Sequence, residues 1–578
     1  MKRFTADFET STWLSDESFV WAWAICEIGN VDNLRIGNSI DTFMELVEKE
    51  NNPIILFHNL KFDGEFILYW LMKNGYEYTE KKERKDRTFS TLISDQGLFY
   101  EIEVYFEVGK KTRKVTFQDS LKIINQSVDS IAKTFKLEES KLTIDYNKPR
   151  KRGHILTKEE EEYIKHDVII VAKGLDYLYQ MGLTKMTAGS NALSEYKNIF
   201  NKKRFDKVYH KLSFEADKDI RQAYKGGFTY LNPIYASIDV GAGEVLDVNS
   251  LYPSVMYDAL LPFGEPYFYE GNYEYDKAYP LYIQRITCSF ELKKDKIPTI
   301  QIKHRQFLDN EYLTSSNGDI VALTLTNIDL KLFLEQYDVE DLKYLCGWKF
   351  KALHGLFKNY IDKWIGIKNE ATISGNKGMR QVAKIMLNSL YGKFATGMEV
   401  KSKIPYLEDD IVKYKITEPE RRNGVYLPMG AFITAYAREK TIRTSQAIKT
   451  YSIEKYGEDL YCYSDTDSIH TLLPIEELKQ FCEIDDVELG KWKHESHFTK
   501  ARFVRQKTYL EEINGEMKIT CAGMPSRCYD QVEWNQFKVG MKVDGKLRFK
   551  HVKGGVNLVE EEFTLKADKK LINAIKNI

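Results

Sequence analysis

Two pairs of carboxylates, each two positions apart, lie near opposite ends of the chain: Asp7 and Glu9 in DFE, and Asp465 and Asp467 in LYCYSDTDSIH. If they sit on strands, the period-two pleat turns both members of a pair to one face. Like charges on one buried face repel strongly unless a cation stands between them. Each pair therefore demands a fold that gathers further oxygen ligands around a hard divalent ion. DTD reads as the tip of a tight hairpin, with an ordinary polar turn as the alternative. DFE alone fits a solvated strand equally well, so its partners decide.

Partners for DFE follow in order. The segment HNLKFDGEF puts Asn59, Phe62 and Asp63 at the end of an apolar run, a ring beside a carboxylate where a nucleotide base can be held; Phe62 as ordinary core is the alternative. Thr157 and Glu160 make a capping-box start for a long helix through EEYIKHD. On that helix Tyr163 and Asp167 stand four apart and address one point. Asp7, Glu9, Asp63 and Asp167, with Tyr163, form a set able to hold two divalent ions and orient water for in-line attack on a phosphodiester.

A second set surrounds DTD. Asp247 ends the apolar strand of VLDVNSLYPS and is followed by Tyr252 and Pro253. In KGMRQVAKIMLNSLYGKF, Lys384, Asn388 and Tyr391 recur at i, i+4 and i+7, with Arg380 one turn earlier, so they share a helix face. Cations, an amide and a ring on one stripe suit a triphosphate, a sugar and a base. A polar surface face is the competing reading.

At 578 residues the chain has room for about three to five domains. With 43% hydrophobic and 29% charged residues it is neither disordered nor low-complexity. The opening MKRFTADFETSTW lacks an apolar signal core, and no apolar run nears the ~20 residues that span a bilayer, so neither secretion nor membrane insertion is expected. Seven cysteines without a CxxC make no disulfide framework or zinc set. Net charge is only −1, yet the stretches 357–393 and 538–553 carry +5 each, leaving −11 on the rest. Two cationic islands on an acidic body suit a polyanion if they fold towards one cleft, and are otherwise solvated faces.

RFTADFET and NPIILFHNL read as strands among alternating strands and helices, and MTAGSN at 186–191 as a boundary. Residues 258–355 are tyrosine- and strand-rich, followed by a helix-like ALTLTNIDLKLFLEQY. Helical signal returns at 356–393 and 430–456, on either side of a polar stretch at 395–429. No internal repeat stands out.

In their order, DFE, HNLKFD and YIKHD resemble the three exonuclease motifs of family B DNA polymerases. DVNSLYPS, KIMLNSLYGKF and YSDTDS resemble polymerase motifs A, B and C. YKGG (Tyr224–Gly227) resembles the motif linking the two activities, and RQKTY the later KxY motif. The resemblance covers nearly the whole chain and points to the protein-primed branch found in small tailed phages of Bacillus. It implies an α/β and α+β multidomain protein: an RNase-H-like 3′–5′ exonuclease domain, then a right-hand palm, fingers and thumb. The implied boundaries are 1–188 exonuclease, 189–258 palm, 259–355 first insertion, 356–394 fingers, 395–429 second insertion, 430–536 palm, and 537–578 thumb and tail.

The resemblance also implies roles. Asp7, Glu9, Asp63 and Asp167 become exonuclease metal carboxylates, with Tyr163 and Lys141 assisting the water and the scissile phosphate. Thr10, His58, Asn59, Phe62, Phe66, Ser120, Leu121 and Tyr146 hold the frayed 3′ strand. Asp247 and Asp467 hold the polymerase metals, with Asp465 beside them and the Val248 carbonyl as a backbone ligand. Lys368 and Lys384, with Arg380, grip the incoming dNTP, Tyr252 is the steric gate against a ribose 2′-OH, and Asn388, Tyr391 and Gly392 line the nascent pair. Tyr224, Gly226, Gly227, Thr434, Arg438, Lys507 and Tyr509 attend the primer–template.

The implied partners are DNA primer–template, dNTPs and a terminal protein primer forming a heterodimer, with an otherwise monomeric enzyme in the infected bacterial cytoplasm. The first insertion would contact the terminal protein, and the second would close a tunnel giving processivity and strand displacement. The implied cofactor is Mg²⁺, two per active site, for which Mn²⁺ is an acceptable substitute at hard oxygen ligands. Two departures stand out: a short EEINGEMKITCAGM after RQKTY, and the tail ADKKLINAIKNI. A host-type primer-dependent polymerase and a nuclease-only or DNA-binding relative are the rival readings.

Overall fold

The computed structural model describes residues 2–80, 85–108, 111–301 and 312–566. The tail ADKKLINAIKNI lies outside the described residues. An eight-stranded mixed sheet carries the first unit. Arg3–Thr10 sits in its interior, antiparallel to Val20–Glu27 and parallel to Ile54–Phe57, which in turn runs parallel to Lys111–Asp119. Phe4, Ala6 and Phe8 alternate into the core while Asp7 and Glu9 take the opposite face. Register slips between Glu9 and Thr10, where the strand bends away. Lys158–Gln180 packs across Arg3–Thr10 and Val20–Glu27. It starts with the capping box expected from Thr157 and Glu160, whose carboxylate returns to the Thr157 N–H.

MTAGSN becomes the start of a helix: Thr187 accepts from the Ser190 N–H and caps Ala188–Phe200. The palm is a five-stranded antiparallel sheet in the order Trp492–Phe498, Gly243–Val248, Ser468–Thr471, Tyr461–Asp465, Thr229–Leu231. The 30-residue helix Leu427–Tyr456 packs on it. Two packed helices, Lys358–Ile373 and Lys377–Ser389, form the fingers, joined through Gly375 at φ +66°.

The stretch that precedes these helices in the chain forms a four-stranded sheet, in the order Leu261–Glu270, Tyr337–Leu353, Leu281–Leu292, Val321–Thr326. Here one expectation is corrected. ALTLTNIDLKLFLEQY is not one helix: its first part alternates buried and half-buried residues and pairs as a strand, and the helix begins only at Asn327, capped by Thr326. Period two wins over helix propensity where a neighbouring strand is available. Within 395–429 the strands Lys403–Glu408 and Ile411–Ile416 form a hairpin turning at Asp409 and Asp410, both with positive φ. The short segment after RQKTY closes likewise at Asn514 and Gly515. A last hairpin, Lys542–Val552 with Gly555–Thr564, ends the described chain. No described helix is long and apolar enough to cross a membrane.

Candidate functional site

The sheet and two helices bring the four carboxylates of the first set into one electrostatic cluster. Asp7 and Glu9 come from the interior strand, Asp63 from the first turn of Leu60–Lys73, and Asp167 from Lys158–Gln180. Burial, then the charge of Asp167, pushes the Asp7 carboxyl up to about 7. Burial and the neighbouring acids raise Glu9 and Asp63 well above the usual carboxylate range; burial also raises Asp167, against the pull of Lys141. Among the described residues no three His, Cys, Asp or Glu side chains close on a single point. The Lys141 ammonium stands 3.2 Å from Asp167 Oδ2 and offsets part of the negative charge of the cluster. Asp63 Oδ1 and Asp167 Oδ1 are buried with no hydrogen-bond partner. Orphaned anionic oxygens of this kind are costly, and they fit a divalent cation.

Tyr163 and Tyr146 share a 2.6 Å hydroxyl contact, and burial keeps the Tyr163 phenol protonated. A buried Arg150–Glu160 ion pair at 2.7 Å fastens the loop bearing Tyr146, since Arg150 Nη1 also donates to the carbonyls of Asp145 and Lys148. Asn59 stands at φ +90° with its N–H donated to Asp119 Oδ1, which also accepts from the Leu121 N–H. Burial lowers the His58 imidazole, which donates through Nε2 to the Gln126 carbonyl at 2.6 Å. Two expected strand contacts are enclosed instead. Ser120 is fully buried against the Phe57 carbonyl and His58, and Phe66 lies beneath Gly555 of the last hairpin. Phe62, by contrast, is half-buried and Tyr146 exposed. Thr10 is nearly covered, its carbonyl accepting from the Trp21 indole.

The second set lines one cleft of about 1010 Å³: Asp247, Val248, Tyr252, Lys368, Arg380, Lys384, Asn388, Tyr391, Asp467 and Tyr509 all face it. Asp247 ends its strand opposite Ser468, so strand pairing sets the two aspartates side by side. Burial and then the Asp467 charge push the Asp247 carboxyl up to about 7; burial raises Asp467 as well. Opposite them, burial and the charges of Arg380 and Lys384 pull the Lys368 ammonium down. Cations crowded against one another across from crowded anions are arranged for a ligand carrying metal and phosphate.

The Tyr252 and Tyr391 rings lie 4.2 Å apart, although the helix breaks after Ser389 and Tyr391 begins a new turn. Gly392 is open to solvent. Asp465 points elsewhere, held by Lys507 Nζ and by the Thr229 hydroxyl at 3.2 Å. Sequence reading missed Lys493 and Glu495, which also line the cleft; their alternation along Trp492–Phe498, antiparallel to the Asp247 strand, was the available signal.

Thr466 between the two aspartates is β-branched yet sits at φ +63°, a strained conformation. Its N–H donates to the Phe228 carbonyl at 2.6 Å and its carbonyl accepts from Thr441 at 2.8 Å. Gly227 presses on it: a Cβ there would stand 2.7 Å from Thr466 Cγ2 and Oγ1. Gly227→Ala is expected to displace the DTD turn and lower nucleotide addition about tenfold, the cost of overpacking. Steady-state extension checks this, with degradation of single-stranded DNA as the unchanged control.

Thr434 and Arg438 are the residues expected at the primer–template backbone. Both are buried; Thr434 donates to the Gly430 carbonyl at 3.1 Å, and the Arg438 guanidinium is spent on Asp329 and on the carbonyls of Lys225 and Gly226. Arg438 holds the YKGG segment, with Tyr224 half-buried and Gly226 exposed, against helix Leu427–Tyr456.

A metal-ready carboxylate pair on an antiparallel palm, faced by a cationic fingers helix and joined to an RNase-H-like unit, defines a nucleotide polymerase with a nuclease domain. The family profile described as DNA polymerase type B, organellar and viral, matches residues 45–153 and 143–472. The DNA polymerase of Bacillus phage Nf is 45% identical over 98% of this chain and 100% of its own length. That of Streptococcus phage Cp-1 is 32% identical over 97% and 98%. Among solved structures, phi29 DNA polymerase complexed with primer–template DNA and incoming nucleotides is 42% identical, covers 98% of this chain and 100% of its own, and superposes with a TM-score of 0.90. The chain belongs to the type B DNA polymerases of the phi29-like phage group and is a DNA-directed DNA polymerase. Membership implies divalent-metal dependence.

Proposed function

We propose that the chain extends a DNA primer at the cleft, trims it at the carboxylate cluster, and starts synthesis on the hydroxyl of a terminal protein. The observation that carries the synthetic half is the single cleft lined by Asp247, Asp467, Lys368, Arg380, Lys384 and Tyr252 together. Asp247 and Asp467, with the Val248 carbonyl, hold Mg²⁺ at the palm; Asp7, Glu9, Asp63 and Asp167 hold it at the nuclease site, where Mn²⁺ fits the same oxygens. Divalent ions held by these residues would supply Lewis-acid charge stabilisation to the attacking and leaving oxygens.

Lys368, Arg380 and Lys384 orient the triphosphate, while Asn388 and Tyr391 flank the new base pair. Lys507, paired with Asp465, and Tyr509 seat the primer terminus. In the nuclease site Tyr163 and Tyr146 position a water, Lys141 meets the scissile phosphate, and Phe62, Asn59, His58 and Leu121 support the frayed strand. The units fall as 1–188 nuclease, 189–258 and 430–536 palm, 356–394 fingers, with insertions at 259–355 and 395–429 and the thumb from 537. The setting is the cytoplasm of an infected bacterium.

Tyr252 is packed where a sugar would lie beside Tyr391. Tyr252→Val is therefore expected to admit ribonucleotides, raising ribo-over-deoxy incorporation by about two orders of magnitude, the worth of a steric clash of a few kcal/mol. Single-nucleotide insertion assays decide it; unchanged sugar selectivity removes the gate role. Terminal-protein priming is tested by transfer of a labelled dNMP to candidate partner proteins, and only ordinary primer extension with every candidate would favour a primer-dependent enzyme.

Metal should also stabilise the fold in a pH-dependent way. Asp7 and Asp247 have folded-state pKa values raised to about 7, above the ordinary 3.8. In metal-free protein they hold protons the unfolded chain has lost, so they cost stability progressively from about pH 4 to 7 and fully above it. Added Mg²⁺ removes that repulsion, so the rise in Tm on adding Mg²⁺ should be largest above pH 7 and shrink towards pH 5. Thermal unfolding with and without EDTA measures it, and a pH-independent rise would contradict the clustered-carboxylate picture.

A further inference from the structure

Past the two aspartates, the palm cleft is also lined by a second sheet, in the order Asp239–Val240, Lys500–Arg505, Thr508–Ile513, Glu516–Cys521. Tyr509, Glu511 and Ile513 alternate along Thr508–Ile513 and all line the cleft. From the palm side comes Ser468–Thr471, the strand that leaves the DTD turn. Its Ser468 stands opposite Asp247 and its His470 opposite Val245, one pleat further from the turn, and both line the cleft.

His470 and Glu511 join the two sheets. The imidazole Nδ1 lies 2.7 Å from Glu511 Oε1, and the two side chains are 2% and 7% exposed. A carboxylate this enclosed is costly without a donor, and a carboxylate on Nδ1 in turn fixes the tautomer and the plane of the ring. The ring so held packs on Tyr509, with centroids 5.1 Å apart, and on Tyr463 and Phe503 at 5.3 and 5.6 Å. Tyr509 belongs to the same group of rings, 5.3 Å from Tyr463 and 5.7 Å from Phe503.

Two further polar contacts join the sheets through Lys507. Its N–H donates to the Tyr463 hydroxyl at 2.8 Å and its ammonium pairs with Asp465, while its φ of +51° makes the turn that opens Thr508–Ile513. Those contacts fix the turn. Glu511, two residues past Tyr509 on the same face, fixes the strand beyond it.

We propose that His470 and Glu511 are positioning residues for the primer end: the pair holds Tyr509 against the DTD hairpin, so that the seat of the primer terminus keeps its place relative to Asp467. This rests on the reading of Tyr509 as that seat. The pair acts on the binding of the primer end and leaves the chemical step alone.

The test varies primer–template at saturating dNTP and separates kcat from KM. Glu511→Met keeps the volume and removes the hydrogen bond, whereas Glu511→Gln keeps an acceptor for His470. Glu511→Met should raise KM about tenfold with kcat within about twofold of wild type, the worth of one hydrogen bond to a charged group. Glu511→Gln should bring KM back to within about threefold of wild type. Degradation of single-stranded DNA should be unchanged in both. In a double-mutant cycle Glu511→Met should add nothing to Tyr509→Ala, because both remove the same placement. If Glu511→Met folds poorly, His470→Leu combined with it replaces both partners by apolar groups, a change of small cost to stability, and the cycle is run on that variant. An unmoved KM, a fall in kcat at unchanged KM, no rescue by Glu511→Gln, or full additivity with Tyr509→Ala overturns the positioning role. An unchanged KM in Tyr509→Ala alone would instead overturn the reading of Tyr509, and is seen separately.

Discussion

Asp467→Ala should abolish nucleotide addition, by about three to four orders of magnitude, while degradation of single-stranded DNA continues at the wild-type rate. The size follows from the several kcal/mol that a polarising metal supplies at a developing charge. The selectivity follows from geometry: Asp467 lines the fingers-facing cleft with Asp247, whereas Asp7 and Glu9 lie on a strand of a different sheet and Asp63 and Asp167 on two helices of that first unit. Loss of fold is not the expected cause. Burial and the charge of Asp465 raise the Asp467 carboxyl in the folded state, so its ionised form costs stability at neutral pH and alanine relieves that cost. Thermal unfolding in EDTA should therefore show a Tm equal to or above that of wild type. A variant that loses both activities while retaining that Tm would contradict two independent sites.

Asp7→Ala should give the mirror image. It lies on the interior strand of the eight-stranded sheet, inside the field of Asp167 and Lys141, and its removal takes one carboxylate out of the cluster proposed to hold the metal. Degradation of a 3′ single strand should fall by about three orders of magnitude or more. Extension of a correctly paired primer should persist, and extension from a mismatched end should rise because the mismatch is no longer trimmed. Mismatch extension reads the coupling of the two sites directly. If the variant still trims at the wild-type rate, Asp7 is not a ligand.

The chemistry was legible before the architecture. Period two puts Asp7 with Glu9 on a face, and helix spacing aligns Lys384 with Asn388 and Tyr163 with Asp167; both rules depend only on local backbone geometry and hold in the folded chain. The sequence could not say that Asp465 turns to Lys507 while Asp467 turns to the cleft, because that goes with the positive φ of Thr466, whose N–H and carbonyl are bonded to Phe228 and Thr441 from elsewhere in the chain. Arg438 shows the same limit. As a motif residue it reads as a cation for a phosphate, but Asp329, more than one hundred positions earlier, consumes its guanidinium. The strand in VALTLT was misread because its pairing partner, Leu281–Leu292, lies in a different part of the insertion.

The most direct measurement of the central claim is extension of one primer on a single-stranded DNA circle, with Mg²⁺ and dNTPs but no clamp or helicase, resolved on a denaturing gel. Extension products are expected, because the palm cleft gathers Asp247, Asp467 and the facing cations in one place. A primer that is only shortened, or left unchanged, would contradict a DNA-extending cleft built on Asp247 and Asp467.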